Sequence, residues 1–128
     1  MNSLTIIAVA SGGAIGATLR LLLNGWVNKS FIHALPLGTL FVNLLGSLLV
    51  GMLFAYFHFN TTLSPHLKTF LVTGILGALT TYSTFAIESF FLLEIGHYGE
   101  AFTNMALNVF GTILFAGIGY ILIMQLSK

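Results

Sequence analysis

The chain has 128 residues, of which 57% are hydrophobic and only 5% charged. Soluble domains carry about 25% charged residues. Four basic and three acidic side chains cannot clothe a chain of this size against water, so most of its surface must face lipid. A net charge of +1 with no basic run excludes nucleic acid as a partner, and the absence of cysteine excludes a disulfide framework or a thiol metal site.

A helix crosses the hydrocarbon core with about 20 apolar residues. Four stretches fit: Leu4–Val27, interrupted by Arg20, then Leu37–Phe59, Leu67–Ile95 and Glu100–Leu126. The first is read as a retained span rather than a signal peptide. Residues 1–8 carry no Lys or Arg, and the apolar stretch continues past Arg20. The breaks hold turn residues: Asn28, Lys29, Ser30, His33 and Pro36; then Asn60, Thr61, Thr62, Ser64 and Pro65; then Gly96-His97-Tyr98-Gly99. All are short, which makes sequential helices antiparallel neighbours in one domain covering 1–128.

Lys and Arg bias sets the orientation of such a bundle. One side would hold Lys68 and Lys128, the other Lys29 and, near a helix end, Arg20. The bias is close to nil. Two readings stand: other factors fix one orientation, or the chain inserts both ways and pairs with an inverted copy of itself. Four helices are few for a complete transport pathway, so oligomerisation is expected on size alone.

Glycine occurs fourteen times, mostly inside the spans. Gly12 and Gly16 form a GxxxG pair, and Gly46, Gly51, Gly111, Gly117 and Gly119 read as helix-packing positions. Gly74 and Gly77 precede Thr80-Thr81-Tyr82-Ser83-Thr84, a weak helix former in mid-span. The helix either breaks there, freeing carbonyls able to hold a cation, or continues with its hydroxyls bonded to the preceding turn.

Polar groups inside a bilayer usually face a bundle interior or a water-filled path. Here they recur at i, i+4, i+8: Thr39, Asn43 and Ser47; Thr80, Thr84 and Glu88; Asn104, Asn108 and Thr112. One Asn alone would be glue between helices, but three parallel stripes favour a hydrated route. Glu88 is the one carboxylate well inside a span, whereas Glu94 and Glu100 read as solvated ends. Arg20 either snorkels to the headgroups or attracts anions at a vestibule. His33, His58, His66 and His97 lie in or beside loops without metal-ligand spacing, and Trp26 reads as an interface anchor. Tyr82 and Phe85, at i, i+3, share the third span with Thr80, Thr84 and Glu88. Ring edges are positive and suit a small anion, although ordinary packing explains aromatics taken alone.

Three stretches together resemble the Fluc (CrcB) family of fluoride channels: Gly12-Gly13-Ala14-Ile15-Gly16-Ala17-Thr18-Leu19-Arg20, Gly38-Thr39-Leu40-Phe41-Val42-Asn43-Leu44-Leu45-Gly46, and Gly74-Ile75-Leu76-Gly77-Ala78-Leu79-Thr80-Thr81-Tyr82-Ser83-Thr84-Phe85. The resemblance implies an all-α membrane protein with four transmembrane helices, the third broken near its middle. It also implies an antiparallel dual-topology homodimer in the cell membrane with two pores, exporting fluoride passively from the cytoplasm. It further implies a structural sodium ion at the dimer interface, held by the backbone carbonyls of Gly77 and Thr80. Asn43 would be the pore asparagine, and Tyr82 and Phe85 the paired aromatics. Thr39, Thr84, Glu88, Asn104, Asn108 and Thr112 would lie on the polar track, and Arg20 matches the arginine closing the first motif. Tyr82 departs from the family's usual Phe. Asn104 and Asn108 stand where hydroxyl residues are more common.

Two other readings compete. A small proton-coupled multidrug-type transporter would carry its coupling carboxylate in the first span, which here has no acid. A non-transporting assembly or regulatory subunit would need no polar stripes. No nucleophile, catalytic dyad or cofactor motif is present, so an enzyme is not expected.

Overall fold

A computed structural model describes residues 2–128. All its regular structure is helical, in four stretches long and apolar enough to cross a membrane: Ser3–Ser30, Leu37–Phe59, Pro65–Glu94 and Tyr98–Leu126. The chain is an all-α, multi-pass membrane protein.

Local chemistry sets where each span starts and stops. Helix α1 (Ser3–Ser30) begins where the Asn2 side chain accepts the Thr5 N–H at 2.9 Å. It ends at Phe31, whose backbone is extended. Helix α2 (Leu37–Phe59) follows Pro36, and Asn28 Oδ1 accepts the Gly38 N–H at 2.9 Å, tying the two helices together across the loop. In the third span, Ser64 caps α3 (Pro65–Thr69) and Pro65 occupies its first turn, where a missing N–H costs nothing. A π-helical stretch, Phe70–Leu76, leads into the single turn α4 (Gly77–Leu79), and α5 (Tyr82–Glu94) completes the span. Gly96, at φ 84°, lets the chain reverse after α5. The fourth span comprises α6 (Tyr98–Ala106), a second π-helical stretch at Leu107–Gly111, and α7 (Thr112–Leu126).

Packing relies on backbone contact. Helix α1 lies along the first half of the third span, α2 along α7, and α5 pairs with α6. A Cβ added to Gly12 would fall 2.9 Å from the Gly74 Cα, so nothing larger than hydrogen fits between α1 and the third span. Gly51 and Gly119 likewise meet the carbonyls of Ala116 and Leu48 between α2 and α7.

The interior mixes apolar with polar side chains, and the outside is apolar. A small apolar core of Val42, Leu76 and Leu79 is flanked by Leu23, Leu49, Val50, Leu53 and Ile75. Two of the three largest fully buried side chains are polar, Asn104 and Thr39. Meanwhile Leu21, Phe90, Phe110 and Leu122 stand exposed on the outside. That distribution is stable when the surroundings are lipid.

Candidate functional site

Between α4 and α5 the backbone leaves helical geometry. Thr80 lies at φ −86°, ψ 154° and Thr81 at φ −149°, ψ 117°, both extended. A buried N–H or carbonyl without a partner is costly in hydrocarbon, and Asn43 of α2 answers for Thr81. Its Oδ1 accepts the Thr81 N–H at 2.8 Å, and its Nδ2 donates to the Thr81 carbonyl at 3.1 Å. The Thr81 hydroxyl accepts the Thr84 N–H at 3.2 Å, the ordinary N-cap bond that starts α5.

These bonds have a consequence for two carbonyls. In an unbroken helix the Thr81 N–H would serve the Gly77 carbonyl, and the Thr84 N–H the Thr80 carbonyl. Asn43 and the Thr81 hydroxyl take those donors instead. The Gly77 and Thr80 oxygens therefore lose their regular helical donors within one turn of each other.

Asn43 also reaches the fourth span. Its Nδ2 donates to Asn108 Oδ1 at 2.9 Å, and Asn108 sits in the π-helical stretch Leu107–Gly111. Short π-helical turns inside α-helices are frequent at functional sites. Asn43, Thr80, Thr81, Tyr82, Phe85, Asn108 and Thr112 border one open cleft of about 500 Å³ that also reaches Gly77. The rings of Tyr82 and Phe85 meet edge to face, centroids 5.2 Å apart at 78°. Phe85 is buried, whereas Tyr82 is 76% exposed at the rim.

A second cavity, of about 350 Å³, is lined by Arg20, Asn24, Thr39, Thr81 and Thr84. Thr81 borders both spaces, so the Asn43–Thr81 pair stands at the wall between an arginine-bearing pocket and the amide-lined cleft. Glu88 borders a third space beside the loop residues His33 and Pro36. Its carboxyl faces Thr39, yet Glu88 Oε1 and Thr39 Oγ1 are buried without a hydrogen-bond partner among the described residues. Buried polar atoms need a partner, and these two groups face one another.

A family profile described as "CrcB-like protein, Camphor Resistance (CrcB)" matches residues 7–120. The chain is 55% identical over 123 residues to a protein of Sulfurimonas denitrificans, covering 96% of this chain and 95% of that one. The chain belongs to the CrcB family. That relative is named fluoride-specific ion channel FluC, as is one from Nautilia profundicola, 47% identical with 91% of each chain covered. A third of the same name, from a Sulfurovum strain, is 42% identical with 98% of each covered.

In this CrcB-family chain the polar residues are not gathered in one row. Asn43, Tyr82, Phe85, Asn108 and Thr112 share the cleft, Arg20, Thr39 and Thr84 the second cavity, and Glu88 the third. Asn104 borders none of these three spaces and lies 1% exposed behind Asn108. Thr80 does not continue a helical stripe with Thr84 and Glu88, because its backbone is extended; its hydroxyl bonds the Leu76 carbonyl at 3.0 Å. The Thr112 hydroxyl likewise donates to its own helix, at the Asn108 carbonyl.

Two participants escaped the spacing argument. Thr81 supplies the backbone pair to Asn43, and Ser89 accepts from Asn104 at 3.0 Å. A signal for both existed. Thr81, Phe85 and Ser89 recur in the sequence at i, i+4, i+8 and all three are buried; within α5, Phe85 and Ser89 lie one position round the helix from Thr84 and Glu88.

Proposed function

We propose that this chain is the subunit of a fluoride channel that lets the ion leave the cytoplasm passively through the cell membrane. The observation that carries the reading is 55% identity, over nearly the whole of both chains, to a protein named fluoride-specific ion channel.

The geometry supports it. Fluoride is small and strongly hydrated, so a pore must replace its water with donors. The Asn43 and Asn108 amides and the edges of Tyr82 and Phe85 border one space, the amide N–H groups bonded to protein acceptors until an ion displaces one. The cavity behind it holds the Arg20 charge beside Thr39 and Thr84, an entry that draws anions. The Thr39 hydroxyl and Glu88 carboxyl, facing one another inside the spans, add to a polar track on that side. Hydrogen fluoride crosses membranes as the neutral acid and dissociates inside, so a passive anion leak suffices for export.

The working unit in this proposal is an antiparallel homodimer with two pores. The cleft is open and its rim carries the exposed Tyr82, as half of a larger site would. The even split of Lys and Arg between the two faces favours insertion in both orientations. The interruption of the third helix between Leu79 and Tyr82 is the break at which a structural sodium ion would be held between subunits. The donor set fits a hard cation, since Gly77 and Thr80 present carbonyl oxygens without their regular helical donors. Bound there, sodium supplies a fixed positive charge near the path of the anion.

Purified protein reconstituted in liposomes tests the channel. Fluoride efflux followed by an electrode, without comparable chloride efflux and without a proton gradient, is expected. No fluoride-selective efflux would sink the reading. Labelling a C-terminal tag from both sides of the membrane tests dual topology, and labelling from one side alone would exclude it.

A further inference from the structure

Four of the six buried polar side chains, Asn43, Asn108, Asn104 and Ser89, form one hydrogen-bonded chain with a readable direction, anchored on the Thr81 backbone. The Asn43 amide is clamped to the Thr81 backbone by a donated and an accepted bond. A main-chain N–H only donates and a carbonyl only accepts, so Asn43 cannot turn over while that clamp holds. Its remaining N–H goes to Asn108 Oδ1 at 2.9 Å. Asn108 Nδ2 donates to the Asn104 main-chain carbonyl at 2.9 Å and to Asn104 Oδ1 at 3.1 Å. Asn104 Nδ2 then donates to Ser89 Oγ at 3.0 Å. Every amide in the line donates toward Ser89, and the line ends on a hydroxyl, which can accept or donate.

Asn43 therefore has no free N–H for an anion. Of its two acceptors, the Thr81 carbonyl is held by the double clamp, whereas Asn108 Oδ1 is a single side-chain contact. Fluoride taking an Asn43 N–H displaces Asn108 Oδ1 and is then left facing that oxygen's negative end. Turning the Asn108 amide over presents Nδ2 to the ion instead. Asn104 turns with it, offering Nδ2 to Asn108 and Oδ1 to Ser89, whose hydroxyl rotates to donate. The turn gives up the Asn108 bond to the Asn104 carbonyl, so Asn108 Oδ1 must swing off that oxygen onto Asn104 Nδ2; the carbonyl itself keeps the Leu107 N–H.

We infer that Asn104 and Ser89, which border none of the three cavities, are positioning residues that let the Asn108 amide change from acceptor to donor when fluoride occupies Asn43. The inference rests on the fluoride-channel reading. It gives the two asparagines of the fourth span distinct roles: Asn108 meets the ion, and Asn104 makes the meeting reversible.

The double variant Ser89→Ala/Asn104→Leu tests it. Both partners of one bond become apolar together, so no donor or acceptor of that pair is orphaned. Asn108 keeps its resting bond to the residue-104 main-chain carbonyl and loses the one to Asn104 Oδ1, and the turned amide finds no donor for Oδ1. Fluoride efflux from proteoliposomes is expected to fall about tenfold, with the half-saturating fluoride concentration raised, while the protein elutes like wild type. In wild type labelled with ¹⁵N-asparagine, added fluoride but not chloride should shift the side-chain amide signals of Asn43, Asn108 and Asn104 together. Wild-type efflux beside an unaltered double variant overturns this inference alone. An Asn104 amide signal that fluoride leaves unmoved in wild type overturns it even if the variant does not fold. A wild-type chain that passes no fluoride overturns the channel reading, and this inference with it.

Discussion

Two contact regions hold the third span, and they work by opposite means. Against α1 it is held by absence: Gly12 and Gly74 lack side chains, so two backbones touch. Against α2 and the fourth span it is held by amides: Asn43 clamps Thr81, and Asn108 and Asn104 extend the bonding to Ser89. Lipid supplies no hydrophobic force between helices, so each region uses one of the two attractions left, close packing and hydrogen bonds. The glycine contact has no alternative arrangement. The amide contact can exchange partners without separating the helices, which is what an ion passing through needs. On the proposed channel reading, rigidity and permeation fall to different faces of one span.

Substitutions on either face should separate these roles. The largest expected effect is on the amide side. Asn43→Asp replaces two N–H donors with a negative charge, leaving the Thr81 carbonyl and Asn108 Oδ1 unserved. Fluoride efflux should fall about a hundredfold or more, while size-exclusion chromatography still shows folded protein. Unchanged flux would remove Asn43 from the pathway. On the glycine side, Gly12→Leu forces α1 off the third span and should destabilise the fold by about 3 kcal/mol, read as a lowered thermal midpoint in detergent. A folded Gly12→Leu protein with normal stability and lost flux would mean the two faces are not separate.

A smaller effect probes the junction between them. Thr81→Ala removes the N-cap of α5 but keeps the backbone pair with Asn43. Stability should drop by about 1 kcal/mol, and flux should change less than in Asn43→Asp. A flux loss as large as that of Asn43→Asp would show that the hydroxyl itself meets the ion.

Hydropathy and length were enough for the four spans, since a bilayer demands a run of apolar residues whatever its neighbours do. The helix ends were less readable. Helix α1 begins at Ser3 rather than Leu4, and the third span at Pro65 rather than Leu67, because a cap depends on a single bond, from Asn2 or Ser64. The site was readable as residue types but not as partners. Periodicity singled out Thr84 and Glu88, which face the second and third cavities, while the face turned to the bundle interior carries Phe85 and Ser89. A helix advances about 100° per residue, so neighbouring stripes differ by one position and spacing cannot say which points inward. That Asn104 meets Ser89 depends on how α5 and α6 pack after Gly96, a matter of tertiary geometry rather than spacing.

The smallest predicted effect concerns Tyr82. Its ring packs edge to face on Phe85, and that contact survives Tyr82→Phe. The hydroxyl makes no hydrogen bond among the described residues, and the side chain is 76% exposed. Within one chain, then, the hydroxyl has nothing to lose, and fluoride efflux should stay within about twofold of wild type. A larger change would locate the hydroxyl's partner outside the chain, in the facing copy of an antiparallel dimer or in the ion itself. The two are separable. A partner in the facing copy shifts the dissociation of the dimer in detergent, whereas a contact with the ion shifts the fluoride concentration at half-maximal flux and leaves assembly unchanged.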